Sequence, residues 1–400
     1  MKILFYRYGS ICEPDLIHCF QALGLQVIED TTQITKKNTT PSETVNAVSE
    51  LLKKHPFLFV FTINFFPAVS DTCQIYQVPY VCWTVDCPVM ELFSPSLSNS
   101  CNRIFMFDRA QYEYFRHANP ESIFHLPLAT NVGRWDTVIK NADSQVRSGF
   151  RSDVSFVGSL YEEKDPYAKI SGLSQYTKGY VEGMIEAQLQ VYGYNMLEDL
   201  LLAEPENSRP SVMQDFMEHV PDLTRSPYAP YFQPSFIMAH HFIGMHAAVI
   251  ERHRLLQMLS GHHKVDLYTL SNTERLPMVH NRGGAKTLTE MPLIFHESRI
   301  NLNMTIRPIQ TGLSLRVFDI LGCGGFLLTN YQEELPEYYE IGKDVEVFSS
   351  GEELVEKADY YLSHEEQRKK IAENGYEKTR AFHTYETRVA QMIRIINRTL

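Results

Sequence analysis

The sequence predicts an α/β protein built from two Rossmann-like, doubly wound parallel-sheet domains. Three observations carry this. The chain has 400 residues, too many for one ordinary core. Its first third alternates short apolar runs with amphipathic stretches, the rhythm of strand and helix in a parallel sheet. A second round of the same alternation begins at "VSFVGSLY" (154–161).

In order, "KILFYRY" (2–8) reads as a strand and "PDLIHCFQALG" (14–24) as a helix closed by glycine. "LQVIE" (25–29) is the next strand, and "SETVNAVSELLKKH" (42–55) a capped amphipathic helix. "FLFVFTI" (57–63) is continuously apolar, as buried parallel strands are. "YVCWTVD" (80–86), "RIFMFD" (103–108) and "SIFHLP" (122–127) repeat the theme. The polar stretch 131–153 breaks the rhythm, so the first domain is placed at 1–135 and the second at 151–384. Within the second, about 165–262 reads as a helical insertion with Pro-rich breaks at "EPENSRPS" and "SPYAPYFQPS". "KVDLYTLS" (264–271), "INLNMTI" (300–306), "GFLLTN" (325–330) and "VEVFSS" (345–350) supply further strands, and the last helix spans 385–400. Ligands of open α/β sheets sit beyond the carboxyl ends of the strands, so the site is expected in a cleft between the domains.

A formal net charge of −11 argues against broad nucleic-acid or anionic-membrane binding but leaves room for one local phosphate site. No apolar run reaches the roughly 20 residues that span a bilayer. The apolar start is too short for a secretory signal, and seven scattered cysteines without C-x-x-C read as reduced thiols, so a cytoplasmic location is expected. The histidines lack H-E-x-x-H and read as packing or surface groups; no metal or other cofactor is expected.

The stretch "INLNMTIRPIQTGLSLRVFDILGCGGFLLTN" forms a strand–loop–helix–strand unit. Its loop ends at Gly312, and Ser314 stands where it could cap the helix. Such a helix start offers unpaired N–H groups to an anion. Arg316 sits in the first turn, where the dipole disfavours a cation unless an anion is near. Its guanidinium suits a diphosphate, and Asp319, on the same face, suits the diol of a ribose. Gly324 and Gly325 would let the backbone pass close to a ligand. The opposing reading is an Arg–Asp surface pair followed by a glycine helix cap. Gly158 and Ser159 end the first strand of the second domain, where a diphosphate would approach. Asn301 and Asn303 share one strand face and serve either ligand or neighbouring loops. "GGAKTL" (283–288) lacks the glycine a phosphate loop needs, so Lys286 reads as solvated.

Residues 296–390 resemble the C-terminal domain of CgeB-type, spore-maturation-like glycosyltransferases, through "SRINLNMTIRPIQTGLSLRVFDILGCGGFLLTNYQEEL", "GKDVEVFSSGEELVEKADYYLSHEEQRKKIAENGYEKT" and "HTYETR". "PYVCWTVDCP", "IFMFDRAQYEYF" and "LPLATN" look like the N-terminal domain that often precedes it. The resemblance implies a GT-B architecture, with the terminal helix crossing back to the first domain. It also implies a nucleotide-sugar donor bound by the second domain and metal-independent sugar transfer. In related enzymes an acidic residue followed five residues later by glycine contacts the donor ribose; Asp319 and Gly324 fit. Many retaining relatives carry a glutamate eight residues earlier, where this chain has Thr311, so the stereochemical outcome is left open.

If the second domain holds the donor, the first should hold an acceptor and a base to take its proton. Asp86, after "YVCWTV", is the first candidate and Glu13 the second, whereas Asp108 reads as a helix N-cap. Trp83 and "NFFP" (64–67) either pack or stack on a sugar. The expected partners are a nucleoside diphosphate-sugar and an acceptor that is a protein, a glycan or a small molecule. The alternatives are a nucleotide-sugar epimerase and a non-catalytic binding or spore-coat assembly protein.

Overall fold

The computed structural model describes residues 1–36, 39–204, 211–220 and 226–399. The chain divides into two compact units, Met1–Ala129 with His383–Leu400, and Thr130–Phe382. Each contains a six-stranded sheet whose strand pairs are all parallel.

The first sheet has the order β2-β1-β3-β4-β5-β6. Its strands are β1 (Lys2–Tyr6), β2 (Gln26–Asp30), β3 (Val60–Ile63), β4 (Tyr80–Trp83), β5 (Asn102–Met106) and β6 (Ile123–His125). Strands β3, β4 and β5 are buried along their whole length, which is why they carry no polar alternation. Phe5, Phe20 and Phe61 interlock at ring separations of 4.9 to 6.4 Å. The helix Pro41–Lys54 starts with a full capping box between Thr40 and Glu43. The terminal helix Tyr385–Thr399 belongs to this unit: Arg388 donates to the carbonyl of Pro127 at 3.0 Å, and Tyr385 packs edge-on against Trp83.

The second sheet has the order β12-β11-β10-β7-β8-β9. Its strands are β7 (Ser152–Val157), β8 (Val265–Tyr268), β9 (His280–Asn281), β10 (Ser298–Asn303), β11 (Leu327–Asn330) and β12 (Glu346–Phe348). Between β7 and β8 lie the helices Gln175–Leu189, Leu197–Leu202 and Val212–His219, a π-helical turn Ile237–Ile243, and the helix Gly244–Ser260. Of the Pro-rich breaks expected here, "EPENSRPS" falls mostly on 205–210, outside the described residues, whereas "SPYAPYFQPS" (226–235) carries the short turns Ala229–Tyr231 and Pro234–Phe236. The expected insertion is only partly an appendage. Leu255, Leu256 and Leu259 of Gly244–Ser260 join Val154, Leu267, Ile300 and Leu328 in one core cluster, so this helix is the crossover that returns the chain from β7 to β8. Its apolar face had to cover the sheet, whatever precedes it. The polar stretch after residue 130 is helical, over Val132–Asn141 and Ser144–Ser148. No helix among the described residues is long and apolar enough to cross a membrane.

Candidate functional site

In the second unit the chain leaves β7 toward β8 and β9, then returns on the other side as β10. The carboxyl ends of β7 and β10 therefore bound the topological switch point, where open α/β sheets bind ligands. One side chain spans it. Arg252, from the crossover helix, donates through Nη1 to the carbonyl of Ser159 and through Nη2 to that of Met304 at 2.6 Å. Its guanidinium lies 5.3 Å from the ring centre of Phe156 and 4.5 Å from that of Tyr161. Arg252 is 7% exposed, has no carboxylate in ion-pair range among the described residues, and its Nε finds no acceptor. The sequence reading missed it, having assigned its helix to the insertion; the signal was an arginine in an otherwise apolar helical face.

Arg316 stands beside it, in the first turn of the helix Leu315–Gly322. Its guanidinium lies over the ring of Phe295 at 5.2 Å and meets the Met291 sulfur, a weak acceptor. Asp319 Oδ2 is 3.8 Å away. Burial lowers the pKa of both arginines. For Arg252 this is opposed by Tyr161 and Glu251 and reinforced by the charge of Arg316; for Arg316 it is opposed chiefly by Asp319. Two guanidiniums that repel one another, held by carbonyls, rings and a thioether, leave positive charge and N–H donors available to a diphosphate.

Asp319 points inward. Its Oδ1 accepts from the Thr130 hydroxyl at 2.7 Å, which in turn accepts from Trp135 Nε1 at 2.7 Å. Gly322 allows this approach, since a Cβ there would come within 2.6 Å of the Thr130 methyl carbon. The helix start and its two charged residues thus hold together in one place.

Other expected donor contacts are framework. Asn303 donates to Thr305 and Thr329 at 3.1 and 2.9 Å, and Asn301 to the Phe295 carbonyl at 2.9 Å; buried amides on a central strand need such partners. Ser314 occupies the N-cap position, but its hydroxyl makes no cap bond and is buried without a partner. Gly324 and Gly325 end the helix through N–H bonds to Leu321 and Ile320, both 3.0 Å, with Gly324 at φ +72°. This is a Schellman cap, as the opposing sequence reading has it. Gly325 is required by packing, because a Cβ would lie 2.6 Å from the Phe295 carbonyl oxygen. The Gly158 N–H bonds the Tyr268 carbonyl at 3.1 Å, and the Ser159 hydroxyl donates to Glu163 at 2.6 Å, which shapes the loop; both residues are half-buried. The carbonyl of Gly312 accepts from Gln332. Thr311 donates to the fully buried Glu334 at 2.8 Å, so a carboxylate does stand beside position 311, delivered by a segment 23 residues on. Lys286 is exposed beside Glu290.

In the first unit the switch point lies between β1 and β3. Asn64, at φ +58°, spans it: its Nδ2 donates to the Tyr8 hydroxyl at 3.0 Å and to Asp86 Oδ2 at 2.6 Å, and its Oδ1 accepts from the Val85 N–H at 2.9 Å. Asp86 is exposed at the end of this chain of contacts. Burial raises the pKa of the Glu91 carboxyl, and the nearby Asp86 charge raises it further, a neighbour that sequence reading missed. Glu13, the second candidate base, does not reach open space. It is fully buried and accepts from Arg7 Nε at 2.8 Å and from the Tyr8 and Gly9 N–H groups at 2.9 Å, which anchors the loop after β1. Trp83 is core, donating to the Leu126 carbonyl, and Asp108 caps its helix through the Gln111 N–H.

Residues 252–394 match the family described as Glycosyl transferase-like. Among solved structures, HepE of Anabaena in complex with UDP aligns over 99% of this chain and 100% of its own, at 12% identity and TM-score 0.52. A glycosyltransferase from Rickettsia africae aligns over 100% and 98%, at 10% identity and TM-score 0.54. Sucrose-phosphate synthase from Thermosynechococcus elongatus aligns over 100% and 98%, at 11% identity and TM-score 0.54. No curated protein matches the chain by sequence. The two six-stranded parallel sheets have the GT-B fold of these glycosyltransferases.

Proposed function

We propose that the chain is a glycosyltransferase that moves a hexosyl group from a nucleoside diphosphate-sugar to a hydroxyl-bearing acceptor without a metal ion. The observation that carries this is the pair Arg252 and Arg316 at the switch point of the second sheet, two cations without a close carboxylate grip. Arg316 and Arg252 would stabilise the charge that develops on the leaving diphosphate, the role a divalent ion plays elsewhere. Asp319, fixed by Thr130, would take the ribose. Asp86, held by Asn64, would accept the acceptor's proton. Structural neighbours solved with UDP and with UDP-glucose make a UDP-sugar the first donor to test. The finer kinship with CgeB-type enzymes, their N-terminal partner domain and a cytoplasmic location belong to the same proposal; the acceptor is a protein, a glycan or a small molecule.

The test is calorimetric titration with UDP, followed by product analysis of UDP-glucose incubated with the protein, with and without an acceptor panel. UDP release that depends on an acceptor supports the reading. An isomerised donor identifies an epimerase, and binding with neither product nor hydrolysis identifies a non-catalytic protein.

A further inference from the structure

Among the described residues only three non-glycine side chains have positive φ: Asn64, Gln77 and Tyr161. Asn64 stands at the first sheet's switch point. Tyr161 stands at the second, with φ +68° and ψ +1°. Asparagine accepts this region readily; a bulky aromatic residue does so at a cost, and such strain persists where the surrounding structure holds it. The position looks suited to glycine. Tyr161 opens a short 3-10 turn, and its N–H donates to the Ser159 hydroxyl at 2.8 Å, a bond any residue could make.

What the side chain adds is a wall. Its ring centre lies 4.5 Å from the Arg252 guanidinium carbon, with Phe156 5.3 Å from the same atom. Lys164 Nζ is a second cation over the Tyr161 ring, at 5.6 Å. Arg252 donates to two carbonyls, the Tyr161 hydroxyl adds a further acceptor beside it, and its Nε is unpaired. Contact with the two aromatic rings restricts it, and does so without neutralising its charge. A carboxylate would hold the guanidinium more tightly but would cancel the charge a diphosphate needs.

We infer that Tyr161 is a positioning residue of the anion site, kept in a strained backbone because its ring, with that of Phe156, holds Arg252 oriented and still charged for a diphosphate. This rests on the donor reading above and adds to it the residue that prepares the grip.

The experiment compares UDP titration and thermal unfolding for wild type, Tyr161→Gly, Tyr161→Asn, Tyr161→Phe and Arg316→Ala. Tyr161→Gly relieves the backbone and removes the wall, so UDP binding should weaken about tenfold while Tm holds or rises. Tyr161→Phe keeps the ring and loses only the hydroxyl beside Arg252, so it should bind within about twofold of wild type if the ring is what orients the guanidinium. Tyr161→Asn, which also accepts this backbone, should behave as glycine does and guards against a loop loosened by glycine. A purely structural tyrosine would lose stability and affinity together. Wild-type UDP affinity in the glycine and asparagine variants, or equal losses in phenylalanine and glycine, overturns the inference. If Arg316→Ala abolishes binding while Tyr161→Gly does not change it, only this inference falls; a wild-type chain that does not bind UDP removes the donor reading as well.

Discussion

The Thr130 hydroxyl donates to Asp319 Oδ1 at 2.7 Å, while Asp319 Oδ2 lies 3.8 Å from Arg316. One carboxylate is thus tied on one side to the Trp135–Thr130 relay and turned on the other toward the proposed diphosphate grip. Thr130→Val should remove the acceptor of the Trp135 N–H as well as the donor to Asp319. We expect a loss of about 1–3 kcal/mol in unfolding free energy, measured by denaturant titration, together with weaker UDP binding.

Arg316 is poorly partnered for a guanidinium, and this has a thermodynamic consequence. Arg316→Met should leave Tm unchanged or raise it, because an under-compensated cation is replaced by an apolar side chain beside Met291 and Phe295. The same variant should weaken UDP binding by roughly 10- to 100-fold, the range of a charge-assisted hydrogen bond. A stability loss larger than the affinity loss would make Arg316 a structural residue.

The two glycines after the helix Leu315–Gly322 should differ in their response to alanine. Gly325→Ala places a Cβ 2.6 Å from the Phe295 carbonyl and 2.7 Å from Asn301 Nδ2, so the central strand must shift, at about 1–3 kcal/mol. Gly324→Ala meets nothing closer than 3.7 Å and bears only the left-handed backbone, about 1 kcal/mol. Comparative chemical denaturation of the two variants checks the order.

Glu91 supplies a pH test. Its folded-state pKa is raised by burial and then by Asp86, so the folded chain holds this proton more tightly than the unfolded chain. Its contribution to stability is present below the ordinary carboxyl value, about 4.3, and is lost as pH rises through the folded value. Glu91→Gln does not titrate, so its stability relative to wild type should grow across that window and then level off. Unfolding free energies of both proteins from pH 4 to 8 would show it; a constant difference would place Glu91 in an unperturbed setting.

Metal independence is checked directly. On the proposal that two guanidiniums carry the leaving-group charge, EDTA should leave the rate of sugar transfer unchanged, and added magnesium should not raise it. A rate that falls with chelator and returns with the ion would move the electrostatic role from arginine to metal.

By itself the sequence determined the α/β class, because periodicity and apolar runs are local: "FLFVFTI" and "GFLLTN", short, apolar and alternating with helical stretches, read as buried strands, and their second halves are strands β3 and β11. It also determined that Arg316, Asp319 and the glycines at 324 and 325 close one strand–helix–strand unit, since their spacing along a helix is fixed by its geometry. Tertiary structure decided which of these are already tied up in packing and hydrogen bonds. Gly325 and Asn303 are held by the Phe295 carbonyl, Thr305 and Thr329, and Glu13 by Arg7, Tyr8 and Gly9; neither packing contacts nor hydrogen-bond satisfaction can be read from spacing. Arg252 reaches Ser159 and Met304 across 93 and 52 residues of chain, and Asn64 reaches Asp86 across 22. Those meetings depend on the order in which strands join a sheet, and strand order is set by the burial of whole faces rather than by any local pattern of residues.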